Sequence, residues 1–166
     1  MSKKPETVVE DIYSSIQKVI DGDTQELDSD RLITLGAHIS LVVENAFKAR
    51  NKPREEKVLY MSEVGKPCHR QLWYDLKGFD REPLRPENLI KFLYGDILEA
   101  LVLALVEFAG HEVTHEQQPC IIELRNGWKV RGRMDAKIDG EVCDVKSASS
   151  YSFDKKFAKN AVHEDD

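Results

Sequence analysis

The 166-residue sequence contains few cysteines, and those it has form no recognisable pairing or ligand pattern. Cys68, Cys120 and Cys143 are an odd number, they are widely spaced, and no Cys-x-x-Cys is present. This arrangement is typical of reduced thiols in a cytosol rather than of a disulfide framework. The sequence therefore predicts a cytoplasmic protein.

The sequence also lacks a long uninterrupted apolar segment. The longest apolar run, residues 97–110, is interrupted by Glu99 and Glu107 and is too short to cross a bilayer. The N-terminal residues include two lysines but no apolar region of the kind that secretory signals contain. We therefore expect no association with a membrane.

The sequence contains fewer basic than acidic residues. It has 24 Lys and Arg and 30 Asp and Glu, which gives a formal net charge of −6. This balance argues against a protein that coats nucleic acid non-specifically. It does not exclude an enzyme that acts on nucleic acid, since acidic helices can coexist with a local basic groove. The hydrophobic content of 41% is that of an ordinary globular domain with a core.

Apolar residues at helical spacing predict five helices, over residues 6–20, 29–50, 67–77 and 87–109 and from near Phe153 onward. The charged, proline-containing segment 51–57 separates the first two from the others. We therefore predict an N-terminal helical extension, residues 1–52, and a core domain, residues 58–166. The extension is expected to pack on itself or on the back of residues 87–109, away from the active site.

Between the last two predicted helices, alternating apolar residues predict strands over residues 111–117, 120–124, 128–138 and 141–147. Asn126-Gly127 and Asp139-Gly140 are dipeptides typical of hairpin turns. The order of helix, strands and helix predicts an α/β fold with a mixed central sheet flanked by helices.

Charged side chains occur on the last two predicted strands among Val, Ile and Met. Residues two apart share a face of a strand, so Asp144 and Lys146 project together, and Asp135 shares a face with Arg133. The residues that face the opposite side, and that we expect in the core, are Met134, Cys143 and Val145.

The register of this hairpin would bring two carboxylates together. A two-residue Asp139-Gly140 turn sets Asp135 opposite Asp144, where their charges repel unless a cation lies between them. Mg²⁺, or Mn²⁺ in its place, suits such an oxygen-rich site, and Lys146 could orient a water or stabilise a transition state. The alternative is a surface hairpin whose charges pair in solvent, and the spacing alone leaves both interpretations open.

Glu99 lies within the most apolar predicted helix. Such a residue is either a boundary side chain that reaches out to water or a third acidic ligand aimed at the sheet. Asp96, one turn earlier, is expected to be a solvated charge.

The order of these motifs resembles that of the PD-(D/E)XK nuclease superfamily. Within the superfamily, the sequence is most similar to the RecB-like and phage recombination exonucleases, a lambda-exonuclease-like group. The likeness covers residues 58–160. "YGDILE" resembles the first motif and implies Glu99 as a metal-proximal acid, and "GRMD" resembles the second and implies Asp135 as a metal ligand. "CDVKS" resembles the third and implies Asp144 as a ligand and Lys146 as the catalytic lysine. The resemblance implies a restriction-endonuclease-like core.

Two features depart from that family. Many relatives carry a Gln-x-x-x-Tyr motif after the lysine strand, and this sequence reaches Asp166 without one, so we expect the core to lack its C-terminal part. Some relatives bind an iron–sulfur cluster through one early and three late cysteines. Cys68 stands where the early one could, but no late trio follows, which argues against a cluster here. Cys120 and Cys143 are expected to pack in the core.

Several side chains could contact DNA. Arg133 shares the face of Asp135, and a cationic spot near the start of the predicted helix 67–77 comprises Lys66, His69 and Arg70. Trp73 and Tyr74 could stack on bases, although helical spacing favours core packing for Trp73. His111 and His115 share a strand face without a third ligand nearby in sequence, and we expect both at the surface.

The resemblance implies a Mg²⁺-dependent DNA exonuclease that acts in phage or bacterial recombination, repair or DNA degradation. Its partners would be DNA and a recombination protein, and its location the bacterial cytoplasm or a phage-infected host. Two alternatives remain. One is a structure-selective endonuclease or resolvase on the same fold, and the other is a catalytically weak module that binds DNA ends and needs a partner.

Overall fold

The computed structural model describes residues 3–23, 29–48, 55–79 and 85–148, together with Phe153. Short 3₁₀ turns lie at Pro5–Thr7 and Met61–Glu63. The helices in this part of the chain are α1 (Val8–Ile20), α2 (Ser29–Lys48), α3 (His69–Leu76) and α4 (Pro86–Phe108). The strands are β1 (Val58–Tyr60), β2 (Val113–Thr114), β3 (Pro119–Glu123), β4 (Lys129–Arg133), β5 (Ala136–Ile138) and β6 (Glu141–Cys143).

The strands form two small sheets. In the first, of order β1-β4-β3, β4 is parallel to β1 and antiparallel to β3. In the second, of order β2-β5-β6, the neighbouring strands are antiparallel. The predicted α/β class and a mixed sheet are therefore confirmed, but the described strands are divided between two sheets where a single central sheet was predicted.

The predicted strand 128–138 is interrupted at Met134 and Asp135, and this interruption separates the sheets. The Met134 N–H donates to the Gln118 carbonyl at 3.0 Å, and the Gln117 N–H donates to the Asp135 carbonyl at 2.8 Å. Because the backbone here is bonded to the turn at 117–118, β4 pairs within one sheet and β5 within the other. The prediction of one continuous strand was wrong for this reason.

Two other predicted strands are shorter than expected. The strand predicted over 111–117 is reduced to Val113–Thr114, because His115 and Gln117 have φ of 57° and 53°, which are left-handed conformations that a strand cannot contain. The strand predicted over 141–147 ends at Cys143. Asp144 and Lys146 therefore lie beyond the strand and not within it.

Both predicted hairpins are present. Asp139 and Gly140 have φ of 51° and 89°, as a type I′ turn requires, and Ile138 pairs with Glu141 as the two-residue loop predicted. The other hairpin joins β3 to β4 through residues 124–128, in which the Leu124 N–H donates to the Trp128 carbonyl at 2.7 Å and Gly127 has a φ of 77°. Local turn residues therefore determine the register of both hairpins.

The core lies between α4 and the second sheet. Leu103 and Val106 of α4 pack against Ala136 and Ile138 of β5. Val106 is almost fully buried, and burial of a side chain of this size contributes about 1.5–3 kcal/mol. The partly buried residues around this cluster include Val8, Ile12, Val113, Cys143 and Val145. The prediction that Cys143 and Val145 face the core is confirmed. Cys120 is exposed, as are all the residues of β3, so the prediction that it packs in the core was wrong.

The N-terminal helices pack against α4. Both α1 and α2 contact it. The Arg31 guanidinium donates to the Glu107 carbonyl at 2.8 Å, and the Lys3 ammonium donates to the Ala109 carbonyl. These side chains add to the backbone bonds that cap the C-terminal end of α4, where the Glu107 carbonyl also accepts from the Gly110 N–H at 2.8 Å. Both N-terminal helices therefore pack on α4, and Val8 and Ile12 of α1 also pack on the core cluster that includes β5.

No helix in the described ranges combines the length and the apolar composition that crossing a bilayer would require. The last predicted helix is represented only by Phe153, which is helical. The rest of that helix and the prediction of a missing C-terminal part lie outside the described residues.

Candidate active site

A cleft of about 340 Å³ lies where α2, α4, the turn after β2 and the end of β4 meet. We call it the Glu99 cleft. The polar residues that line it are His38, Asn45, Asp96, Glu99, Gln117 and Arg133. Because α2 supplies one wall, the expectation that the N-terminal helices stay away from this site was wrong.

Glu99 is the half-buried acid of the cleft. Burial raises the pKa of its carboxyl group, and the negative charges of Asp135 and Asp96 raise it further. A hydrogen bond that Gln117 Nε2 donates to Glu99 Oε1 and the positive charge of Arg133 act in the opposite direction. Glu99 is therefore directed toward the residues of the second motif, as the ligand interpretation requires. Asp96 is exposed, as expected.

Gln117 connects the two acidic motifs, and nothing in the sequence pattern indicated this role. Its side chain donates to Glu99, and its backbone N–H donates to the Asp135 carbonyl at 2.8 Å. Gln117 adopts a left-handed conformation, which is costly for a residue other than glycine and is often found at functional sites. The neighbouring His115, also left-handed, is exposed, so its predicted surface position is confirmed.

Asp135 reaches across the hairpin to the segment that follows β6. Its Oδ2 accepts a hydrogen bond from the Val145 N–H at 2.9 Å. The last paired residues are Ala136 and Cys143, so the next position along the same register places Asp135 opposite Asp144. Met134, the other residue at the interruption, is half-buried. This hydrogen bond therefore fixes the carboxylate of Asp135, in the second motif, against the backbone of the third motif at Val145.

Asp144 and Lys146 pair with each other at the surface. Lys146 Nζ lies 3.2 Å from Asp144 Oδ2, and the two side chains are 78% and 62% exposed respectively. Neither lines the Glu99 cleft. Within the described ranges, no group of three His, Cys, Asp or Glu side chains is arranged to hold a metal ion. Gln117 thus connects Glu99 to the backbone of Asp135, whereas Asp144 and Lys146 pair with each other outside the cleft lining.

The predicted DNA-contacting residues lie in two places. Arg133 is exposed and lines the Glu99 cleft. Lys66, His69 and Arg70 are exposed at and just before the start of α3, away from the cleft lining. Trp73 is half exposed and packs against Tyr74 and Phe79, so the favoured prediction of core packing was wrong.

His111 is buried, which contradicts the predicted surface position. Its ring Nδ1 lies 2.6 Å from Asp139 Oδ2, and its Nε2 lies 3.1 Å from Asp11 Oδ2 without hydrogen-bond alignment. Burial alone would raise the pKa of Asp139, but hydrogen bonds from His111 and from the Glu112 N–H lower it. His111 thus joins α1 to the turn of the β5–β6 hairpin. Strand periodicity could not reveal this position, because it depends on how α1 packs.

No protein-family model, curated protein or solved structure matches this chain. The interpretation of the site therefore depends on its own residues and geometry.

Proposed function

We propose that this chain is a metal-dependent deoxyribonuclease that hydrolyses phosphodiester bonds from DNA ends, on a restriction-endonuclease-like core. The observation that carries the proposal is the position of Gln117, which donates from its side chain to Glu99 and from its backbone N–H to the Asp135 carbonyl, and so connects the two acidic motifs. Burial and the negative charge of Asp135 both raise the pKa of Glu99, and a bound cation would offset this repulsion between the carboxylates. The order of acidic motifs along the chain supports the same function.

The donor chemistry fits a hard divalent cation such as Mg²⁺ or Mn²⁺. Glu99 and Asp135 supply carboxylate oxygens, and Asp144 follows at the next position of the hairpin register. Glu99 and Asp135 would hold the ion, and Asp144 would join them only after leaving its ion pair with Lys146. When bound, the ion would activate a water molecule and offset negative charge on the phosphoryl group.

The surrounding residues position and balance these acids. Gln117 donates to Glu99 and so fixes the orientation of its carboxyl group. Arg133 places a positive charge in the Glu99 cleft, where a DNA phosphate could bind. These contacts would hold substrate and acids in a fixed relation before the chemical step.

Separation of Lys146 from Asp144 costs little free energy. Both side chains are largely exposed, and exposed ion pairs contribute about 0–1 kcal/mol. Lys146 could then approach the scissile phosphate and stabilise its developing charge, while Asp144 turns toward the ion. The exposed pair is thus compatible with a role in which Asp144 and Lys146 act only once substrate and ion are bound.

Release of nucleotides from linear DNA with Mg²⁺ tests the proposal. The wild-type chain should degrade linear duplex or single-stranded DNA and leave a closed circle intact. Asp135→Asn should lower the rate about a hundredfold or more. Glu141→Gln is the matched control, because Glu141 is an exposed acid in the same hairpin, and it should retain the wild-type rate.

Two other results would replace the proposal. Cleavage of closed circles or branched junctions at internal positions would indicate a structure-selective endonuclease or resolvase. Binding to DNA ends without any metal-dependent cleavage would indicate an end-binding module that needs a partner.

A further inference from the structure

Three aromatic side chains form an exposed cluster at the C-terminal end of α3. The ring centroids of Trp73 and Tyr74 are 5.2 Å apart, those of Trp73 and Phe79 are 5.8 Å apart, and those of Tyr74 and Phe79 are 5.1 Å apart. The three residues are 50%, 37% and 55% exposed respectively. We call Trp73, Tyr74 and Phe79 the aromatic cluster. Its rings pack on one another while keeping a large part of their surface in water.

The end of the helix holds the cluster in place. The Gly78 N–H donates to the Asp75 carbonyl and the Phe79 N–H donates to the Tyr74 carbonyl, with Gly78 at a φ of 72°. This is the Schellman arrangement, in which the residue after the glycine folds back onto the last turn of the helix. Phe79 is therefore ordered against Tyr74 before any ligand binds, which lowers the entropy cost of binding.

The segment that carries the cluster is basic although the chain is acidic. Between Glu63 and Asp80, the chain carries the cations Lys66, Arg70 and Lys77 and the single acid Asp75, so the cations are concentrated along α3 and at its two ends. The Arg70 guanidinium lies 5.5 Å from the centroid of the Tyr74 ring and donates to its hydroxyl at 3.1 Å. Positive charge therefore lies beside the exposed rings, where it complements a phosphate backbone.

The segment is also anchored next to the second acidic motif. The Met61 side chain lies over Gly132, so closely that a Cβ at position 132 would be 2.7 Å from Met61 Cγ. Gly132 precedes Arg133, which lines the Glu99 cleft. The chain that leads into α3 thus starts from the edge of the candidate active site.

We propose that the aromatic cluster is a stacking platform for the unpaired bases of single-stranded DNA, with Arg70 and its basic neighbours contacting the phosphates. Every base has a π-face, so stacking of this kind accepts any sequence, whereas the bases of a duplex are already stacked inside the helix. The inference rests on the proposed function and specifies its substrate as a strand with unpaired bases. Two features support it, namely preformed exposed rings and a local positive charge.

The test measures binding of a single-stranded oligothymidine of about 20 nucleotides in EDTA, where cleavage cannot occur. Trp73 and Trp128 are the two tryptophans, so Trp128→Phe leaves Trp73 as the fluorescent reporter. The oligonucleotide should quench the fluorescence of Trp73. A duplex of the same length should bind more weakly.

Substitutions separate stacking from charge. Trp73→Ala removes the fluorescent reporter, so its affinity is measured from the anisotropy of a labelled oligonucleotide. It should weaken binding of the single strand about 5- to 150-fold, as expected for loss of a stacked base. Trp73→Phe keeps a ring and should recover most of the affinity, which shows that the variants fold. Tyr13→Ala is the matched control, because Tyr13 is a 70% exposed aromatic on α1, and it should bind like wild type. Arg70→Ala should reduce the salt dependence of binding, whereas Trp73→Ala should leave it unchanged.

Equal affinity of Trp73→Ala and wild type for the oligonucleotide would overturn the inference. So would self-association of the protein that Trp73→Ala abolishes, without oligonucleotide binding, since the cluster would then be a protein interface. The proposed nuclease activity fails separately. If Trp73→Ala loses binding but the wild type releases no nucleotides with Mg²⁺, the platform stands and the nuclease proposal falls.

Discussion

Removal of the Asp139 carboxylate should destabilise the protein strongly, because this group satisfies a buried histidine. The side chain of His111 is fully buried and that of Asp139 is 9% exposed. An ionised carboxylate can only accept, so His111 Nδ1 donates across 2.6 Å, and the Glu112 N–H donates to Asp139 across 3.0 Å. Removal of one partner from a buried pair costs about 3–5 kcal/mol. We therefore expect Asp139→Ala to lower the free energy of unfolding by about that amount.

A second substitution separates the charge from the turn. Asp139 has a φ of 51°, a conformation that Asn tolerates better than Ala. Asp139→Asn also keeps an oxygen that can accept from the Glu112 N–H, so we expect a smaller loss of about 1–3 kcal/mol, from the hydrogen bond to the charged group. Urea denaturation at pH 7 measures both values. Equal stabilities for Asp139→Ala and the exposed control Glu141→Ala would refute this reasoning.

The same contact predicts a dependence of stability on pH. Hydrogen bonds from His111 and the Glu112 N–H lower the pKa of Asp139 despite its burial. A lowered pKa contributes stability above the unfolded value of about 3.9, and that contribution disappears as the pH falls through the folded value. Stability of the wild type should therefore decrease in this acid range more steeply than that of Asp139→Asn.

Three further experiments test other parts of the structure. Burial and the charge of Asp135 raise the pKa of Glu99, so its contribution to stability is lost as the pH rises through the folded value. Glu99→Gln should therefore melt at a higher temperature than wild type at pH 7 without divalent ions. Gly132→Ala should cost about 1–3 kcal/mol in urea denaturation because its Cβ would meet Met61, and Met61→Ala in the same chain should recover most of this loss. Lys146→Ala should cost under about 1 kcal/mol of stability yet lower the rate of nucleotide release about a hundredfold.

The sequence predicts those features that depend on neighbouring residues. Asp139-Gly140 adopts the turn that its residue types favour, and the register Ile138 to Glu141 follows from the two-residue loop. Apolar spacing likewise predicts the helix α4, although it does not identify Leu103 and Val106 as its buried positions. Local chemistry is sufficient for these features because the residues concerned are close together in the chain.

Other features depend on contacts between distant segments, and the sequence pattern does not contain them. The interruption at Met134 follows from hydrogen bonds to Gln117 and Gln118, so it requires the turn after β2 to be in place. The burial of His111 requires α1 to pack above it. Trp73 has helical spacing, but spacing cannot tell whether another layer covers that face of α3.

Calorimetric titration with Mg²⁺ tests most directly whether Glu99 and Asp135 form an ion site. The wild-type chain and the control Glu141→Gln should bind Mg²⁺ with the same affinity. Asp135→Asn should fold normally but bind Mg²⁺ much more weakly, because one of the coupled carboxylates has lost its charge. Equal Mg²⁺ affinity of Asp135→Asn and wild type, or no binding to the wild type, would contradict the assignment of this pair as the metal site of a nuclease.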